Sequence, residues 1–296
     1  MASQSTRETV LVTGATGRIG RFLVDELLRR GASVRALTRR PEAAVLPPGV
    51  EVVGGDFTLP ASLDTALAGT SMVFLMWAAP PVTAPAVIKQ LASRPRRVVY
   101  LSAPFRTPHP FFQQPNPMRD LHAEIEGILA AARLDATILR PGMFASNALH
   151  WWGSQISDRG VVRWPYAAVE TAPIDERDIA ATAVQVLLQD GHAGGDYVLT
   201  GPESLSHVAQ VRAIGDAVGR SIRFEEVSPE EFRRETAATW PGGVAEMLLA
   251  AWRAALGQPA FVTSTVREIV GSPARTFHQW AVDHAPAFSG APGVAE

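Results

Sequence analysis

Short apolar runs recur along this chain, separated by segments that are apolar on one helical face only. Runs at residues 10–13, 33–38, 50–57, 72–77, 97–102 and 136–140 read as strands. The run from Met72 to Trp77 has no polar interruption, the pattern of a strand buried on both faces of a parallel sheet. Between the strands, Phe22, Leu23, Leu27 and Leu28 stand among charged residues at helical spacing. Further helices are expected from Leu59 or Pro60 to Leu67 and over 118–133. Strands alternating with helices predict an α/β fold with a doubly wound parallel sheet. After about residue 146 the pattern is less regular. Asp175 is placed to cap a helix, a strand is expected over 196–200, and helices over 205–218, 229–236 and 244–256. The expected organisation is a core over 1–146 and a mixed segment over 147–296. That segment adds later strands and a small lobe over the sheet's carboxyl edge, within one compact unit.

The first strand runs into Thr13-Gly14-Ala15-Thr16-Gly17-Arg18-Ile19-Gly20 and then directly into a helix. Strand, glycine-rich turn and helix in that order are what a dinucleotide pyrophosphate needs, which makes the sheet Rossmann-type. Gly14 can take backbone angles closed to other residues, and Gly17 lets a phosphate approach the free N–H groups of the first helical turn. Gly20 allows close packing of the helix. The second strand ends in Thr38-Arg39-Arg40, where an acidic residue would select an unphosphorylated ribose. Two guanidiniums there, with Arg18 as a possible third, favour a 2′-phosphate and hence NADP(H). The competing role for Arg39 and Arg40 is that of solvated loop charges. Asp56 either accepts from the adenine amino group, with Phe57 beside the ring, or caps the helix that follows. Trp77, Ala78 and the small residues after them lie where the ribose and nicotinamide would pass.

Composition narrows the remaining chemistry. The chain has 296 residues, a formal net charge of −2 and no cysteine. Near-neutral charge offers no general field for nucleic acid or an anionic membrane. Without cysteine there are no disulfides, no thiolate catalysis and no thiolate metal ligands, and no His or carboxylate cluster has metal spacing. The polar N-terminus lacks the apolar core of a signal peptide, and no run approaches the ~20 residues that span a bilayer. A cytoplasmic protein is expected, with a homodimer possible.

Across nearly its whole length the chain resembles the atypical short-chain dehydrogenase/reductases, in particular the NmrA-like, NAD(P)-binding subfamily. The resemblance is carried by the glycine motif, Gly55-Asp56-Phe57, Val99-Tyr100-Leu101-Ser102 and Thr137-Ile138-Leu139-Arg140-Pro141-Gly142-Met143-Phe144. It continues in Pro173-Ile174-Asp175-Glu176-Arg177-Asp178-Ile179-Ala180, Leu199-Thr200-Gly201-Pro202-Glu203 and Arg275-Thr276-Phe277-His278-Gln279-Trp280-Ala281. Reductases of the wider superfamily use a Tyr-x-x-x-Lys pair on the long helix, assisted by a serine. Here the residues four beyond Tyr100, Tyr166 and Tyr197 are Pro104, Glu170 and Gly201, and Lys89, the single lysine, precedes the fifth strand. By alignment with the family pattern, the lysine position falls on His122 and the tyrosine position on Met118. His122 then contacts cofactor or substrate, donates a proton, or is structural, with Glu126 one turn on placed to orient it. Ser102 and Pro141, at the ends of their strands, are expected beside the cofactor.

Phe105, His109, Phe144, Asn147, Trp151 and Trp152 are the expected substrate-pocket residues, with Phe111 and Trp164 as further aromatic candidates. Such walls suit a small hydrophobic substrate. The expected function is NADPH-dependent reduction of an aromatic, quinone, enone or ketone substrate without the usual dyad. The alternatives are a non-catalytic NADP(H)-binding redox regulator, or a lyase, isomerase or cyclase on the same fold.

Overall fold

The computed structural model describes residues 8–93, 96–134, 136–240 and 242–289. Residues 1–7, most of the polar lead, lie outside the described residues. The chain forms two compact units, each assembled from three stretches. The first takes Met1–Ala103, Pro117–Arg140 and Glu176–Tyr197; the second takes Pro104–Asn116, Pro141–Asp175 and Val198–Glu296. The sequence predicts a core over 1–146 with a later segment that adds strands to the sheet; the units draw their boundaries by packing instead. Glu176–Leu188 is a helix packed on the first helix, and Asp196–Leu199 is a strand beside β6, so both belong with the sheet.

In the first unit the strands are β1 (Thr9–Thr13), β2 (Ser33–Thr38), β3 (Val50–Gly54), β4 (Thr70–Leu75), β5 (Arg97–Leu101) and β6 (Thr137–Pro141). Their order is β3-β2-β1-β4-β5-β6, and the strand Asp196–Leu199 completes a seven-stranded sheet. The pairs among β1 to β6 are parallel, with Val12 opposite Ala36 on one side and Phe74 on the other. The order reverses between β1 and β4, which opens a crevice at their carboxyl ends. Central position explains the uninterrupted run in β4: Val73, Phe74 and Leu75 are fully buried. The first helix, Arg18–Arg29, buries Ile19, Leu23, Val24 and Leu27 at helical spacing and exposes Arg21, Asp25 and Arg29. The segment expected as one helix before Leu67 is a 3-10 turn, Pro60–Leu63, followed by the single α-turn Asp64–Leu67. Proline at the start of that 3-10 turn supplies no N–H.

The second unit is built on an aromatic core. The stretch from Asn147, where apolar and polar residues alternate, is an α-helix, Asn147–Arg159. Trp152 shares its buried face with Ala148 and Ile156, one turn to either side, and is itself 0% exposed. It therefore packs the core and forms no pocket wall, a correction to the expectation. Trp164 joins it, 4.8 Å from Phe232 and 5.5 Å from Trp252 between ring centres. The helices Pro229–Thr236 and Phe277–Asp283 each open on a capping box, Ser228 with Glu231 and Thr276 with Gln279. The helix expected from Leu205 begins at His207, because Leu205–Ser206 pairs with Glu170–Thr171 as a short antiparallel ladder.

His207 is fully buried against Trp252, with Nδ1 3.3 Å from the Pro165 carbonyl, and burial depresses its pKa to about 4. In the unfolded chain the imidazole protonates near pH 6.5. Between those values the unfolded state binds the extra proton, so stability falls as pH drops from about 6.5 towards 4, by about 3 kcal/mol in all. Urea melts over this range should show that loss, and His207→Leu should flatten it. An equally steep limb in the variant would remove His207 as its source.

Candidate active site

The glycine turn lies at the carboxyl end of β1. Gly14 has φ +68°, and a Cβ there would sit 1.9 Å from the Cε of Met76. A Cβ on Gly20 would lie 2.1 Å from the Gly14 carbonyl oxygen and 2.7 Å from Ala15 Cα, so the helix approaches the turn at a distance only glycine permits. Gly17 is the N-cap and closes the turn by donating its N–H to the Gly14 carbonyl at 3.0 Å. Thr13 fixes the floor. Its hydroxyl accepts from the Met76 N–H at 2.7 Å and faces the Phe74 and Met76 carbonyls at 3.2 and 3.1 Å, tying the ends of β1 and β4 together.

A groove runs from this turn between the ends of β2 and β3. It is lined by Thr13, Gly14, Thr16, Thr38, Arg39, Arg40, Asp56, Phe57, Met76 and Ala78, among others. Of the three arginines proposed for a phosphate, Arg39 and Arg40 line it; Arg18 is exposed at the start of the first helix and does not. Asp56 does not cap the following helix. It accepts instead from the Thr58 N–H and hydroxyl, both at 2.8 Å, and these bonds, with the Arg39 charge, hold its carboxyl below the usual range. Asp56 is thus kept as an acceptor beside the groove. Phe57 stacks at 4.9 Å on Trp77, which is 6% exposed and donates its indole N–H to the Ala79 carbonyl at 2.7 Å. The Phe57 ring lines the groove while Trp77 backs it from the core, which corrects the expected direct contact. Ile19 is likewise buried in the core. The groove fits a dinucleotide: two glycines keep side chains out of the turn, Met76 covers it with a flexible thioether, and two guanidiniums stand at the distal end.

A second cluster surrounds the long helix, Pro117–Ala131. Tyr100 on β5 is fully buried, and its hydroxyl lies 2.7 Å from Nδ1 of His122 on that helix. Burial, then the Glu126 charge, raises the phenol pKa; burial lowers that of His122. Both groups are therefore neutral near pH 7. Glu126 hydrogen-bonds elsewhere than expected, with Oε1 accepting from Ser102 and both oxygens accepting from Arg140 at 2.7 and 2.9 Å. Its effect on His122 is that of a nearby charge. Arg140 is 1% exposed, and its five N–H groups are met by Glu126, Asp196 and the Ala103 carbonyl. Ser102 and Glu126 thus anchor the helix to the strand ends. Pro141, buried, ends β6.

The expected pocket residues separate within the second unit. His109 lines a small pocket with Phe111, Phe112, Met143 and Phe261, and its Nε2 lies 3.1 Å from the Pro259 carbonyl. Trp151 lines a different groove with Trp164 and Trp240. Phe105 is half-buried with the Arg106 guanidinium 5.5 Å from its ring centre. Phe144 bridges to Ile174, and Asn147 opens its helix. Thr13, Met76, Arg140 and Asp196 were given no site role from sequence, and Tyr100 was weighed only as the start of a Tyr-x-x-x-Lys pair. Arg140 had carried a signal: a guanidinium at the end of a buried parallel strand needs carboxylate partners.

Among the described residues no helix is long and apolar enough to cross a membrane. The profile of a family described as NAD(P)H-binding matches residues 14–190. A (4-alkanoyl-5-oxo-2,5-dihydrofuran-3-yl)methyl phosphate reductase of Streptomyces griseus is 38% identical over 284 residues, 95% of this chain and 99% of the relative. An NAD(P)H azoreductase of Xenophilus azovorans is 29% identical over 292 residues, covering 95% and 100%. The crystal structure of an NADPH-dependent quinone oxidoreductase of Escherichia coli, complexed with NADPH, superimposes with a TM-score of 0.77 at 23% identity. That alignment covers 93% of this chain and 99% of the other, and at this identity it establishes the fold. The chain belongs to this NAD(P)H-binding family, in the NmrA-like branch of the atypical short-chain dehydrogenase/reductases, and its named relatives make it an NAD(P)H-dependent oxidoreductase.

Proposed function

We propose that this protein uses NADPH to reduce a hydrophobic substrate whose carbonyl is conjugated, an enone or a quinone. The observation that carries the proposal is the state of the proton chemistry. The chain has no Tyr-x-x-x-Lys pair, and Tyr100 is a buried, neutral phenol bonded to His122, the residue on which the family's lysine position falls by the resemblance. Bound NADPH supplies a hydride. Reducing an isolated ketone leaves an alkoxide and calls for a strong positioned acid, whereas hydride addition to the β-carbon of an enone leaves a delocalised enolate. Water or a neutral imidazole can protonate such an anion at the α-carbon. Two names support this class. The Streptomyces griseus relative is named for a dihydrofuranone whose ring double bond is conjugated to carbonyls, and a structural neighbour is named for quinones.

In this reading, Gly14, Thr16, Gly17 and Gly20 receive the pyrophosphate, Arg39 and Arg40 the 2′-phosphate, Asp56 and Phe57 the adenine, and Ala78 the ribose side. His122 donates to the nicotinamide ribose or the substrate oxygen. Of the residues expected around the substrate, His109 lines the small aromatic pocket with Phe111, Phe112 and Met143, and that pocket is the candidate for a flat apolar group. The preference for NADPH is tested by Arg39→Ala, expected to weaken NADPH about tenfold and NADH little, since one charge-assisted contact is lost. Equal NADPH affinity in the variant would remove Arg39 from the phosphate site. The activity itself is tested by following NADPH oxidation with enones, quinones and saturated ketones. Turnover of the first two classes is expected; tight NADPH binding with no oxidation by any would indicate a binding-only regulator.

A further inference from the structure

The Tyr100 hydroxyl and the two nitrogens of His122 determine which way that imidazole can act. Tyr100 is completely enclosed, and the partner of its hydroxyl among the described residues is Nδ1 of His122 at 2.7 Å. A buried phenol proton must be donated to something, and Nδ1 is the acceptor in reach. An imidazole that accepts at Nδ1 carries its own hydrogen on Nε2. That Nε2 has no protein partner among the described residues, and it is not one of the enclosed unpartnered atoms, so it is left open to solvent or ligand.

We infer that Tyr100 is a positioning residue that locks His122 as the neutral Nε2–H tautomer, turning the position of the family's lysine into an uncharged hydrogen-bond donor. This rests on the proposed role of His122 toward cofactor or substrate. A lysine there carries a fixed positive charge; this imidazole offers a directed N–H without one. The charged groups bearing on the pair are Glu126, from the same helix, and Arg140, from β6, whose opposite charges act on His122 in opposite directions. These two are bonded to each other and their charges oppose one another at His122, while the phenol is the group hydrogen-bonded to the ring and so sets the tautomer. The arrangement suits a reaction in which the developing anion is delocalised and needs a donor more than an acid.

The test uses the intact protein with ¹⁵N-labelled histidine. In the resting enzyme at pH 7.5, the His122 nitrogens should show Nδ1 as a bare acceptor and Nε2 protonated. Tyr100→Phe removes one hydroxyl and keeps the ring that fills the site. It should give a tautomer mixture and lower kcat/KM about tenfold, the scale of one oriented hydrogen bond. The same variant should also move the acid limb of the pH–rate profile, which a packing defect alone would not. His122→Gln, which keeps an amide N–H at the distal end, should recover part of the activity lost in His122→Ala. A protonated Nδ1 in the resting protein, or unchanged tautomer and pH profile in Tyr100→Phe, overturns the inference. Full activity in His122→Ala with the expected tautomer instead overturns the role of His122, so the two failures are distinguishable.

Discussion

Replacing Arg140 with leucine is expected to cost about 3–5 kcal/mol of stability, the scale seen when one partner of a buried ion pair is removed. The side chain is nearly inaccessible, and its guanidinium uses every N–H: Glu126 and Asp196 are each gripped by two bonds, and the Ala103 carbonyl takes the remaining one. The bonds to Asp196 and Glu126 outweigh the desolvation that opposes its charge, so its pKa is raised and it remains ionised. Leucine leaves Glu126 buried beside Asp196 with no cation between them. The helix that carries His122 is held to β5 and β6 through Glu126, so activity should fall together with stability. For a chain of this size the loss corresponds to a melting temperature lower by roughly 10 °C. Urea denaturation of Arg140→Leu measures it directly. A loss below about 1 kcal/mol, the level of an exposed pair, would show that the network contributes no more than surface charges do.

Gly20→Ala is expected to weaken NADPH binding by about ten- to a hundredfold and to destabilise the fold by about 1–3 kcal/mol, as overpacking does. The added methyl meets backbone, the Gly14 carbonyl at 2.1 Å and Ala15 Cα at 2.7 Å, so no rotamer change can relieve it. The first helix must move away from the turn, and its N–H groups move with it. Gly127 is the control. It lies on the long helix with open space where a Cβ would stand, and Gly127→Ala should stabilise by about 0.5–1 kcal/mol without touching affinity. Isothermal titration of NADPH against both variants separates the outcomes. An unchanged dissociation constant in Gly20→Ala would show that the close approach of helix and turn is not what shapes the cofactor site.

The sheet could be read from the chain because burial on both faces leaves a plain signal, as in Met72 to Leu75, and because glycine marks the turn after β1. The end of β2 was equally legible: Arg39 and Arg40 stand where position alone gives charge a meaning. Long-range partners were not. Tyr100 and His122 are separated by 22 residues, and Arg140 and Asp196 by 56, and no periodicity announces such pairs. Glu126 shows the limit well. Helical spacing put it one turn from His122, but the buried Arg140 opposite offered stronger bonds and took its oxygens. The tryptophans failed for a related reason. Adjacent aromatics on a helix divide between core and surface, and only the packing of helices far apart in sequence decides that Trp152 lies inside while Trp151 reaches a groove.

The central claim, hydride delivery from NADPH to a conjugated substrate, is tested most directly by following the label. An α-acyl butenolide incubated with the enzyme and NADPH carrying deuterium at the transferable C4 position should gain deuterium at its β-carbon, on one face only. In D₂O with unlabelled NADPH, the deuterium should instead appear at the α-carbon. Label on a carbonyl carbon, or none in the product while NADPH remains bound and unoxidised, would contradict it.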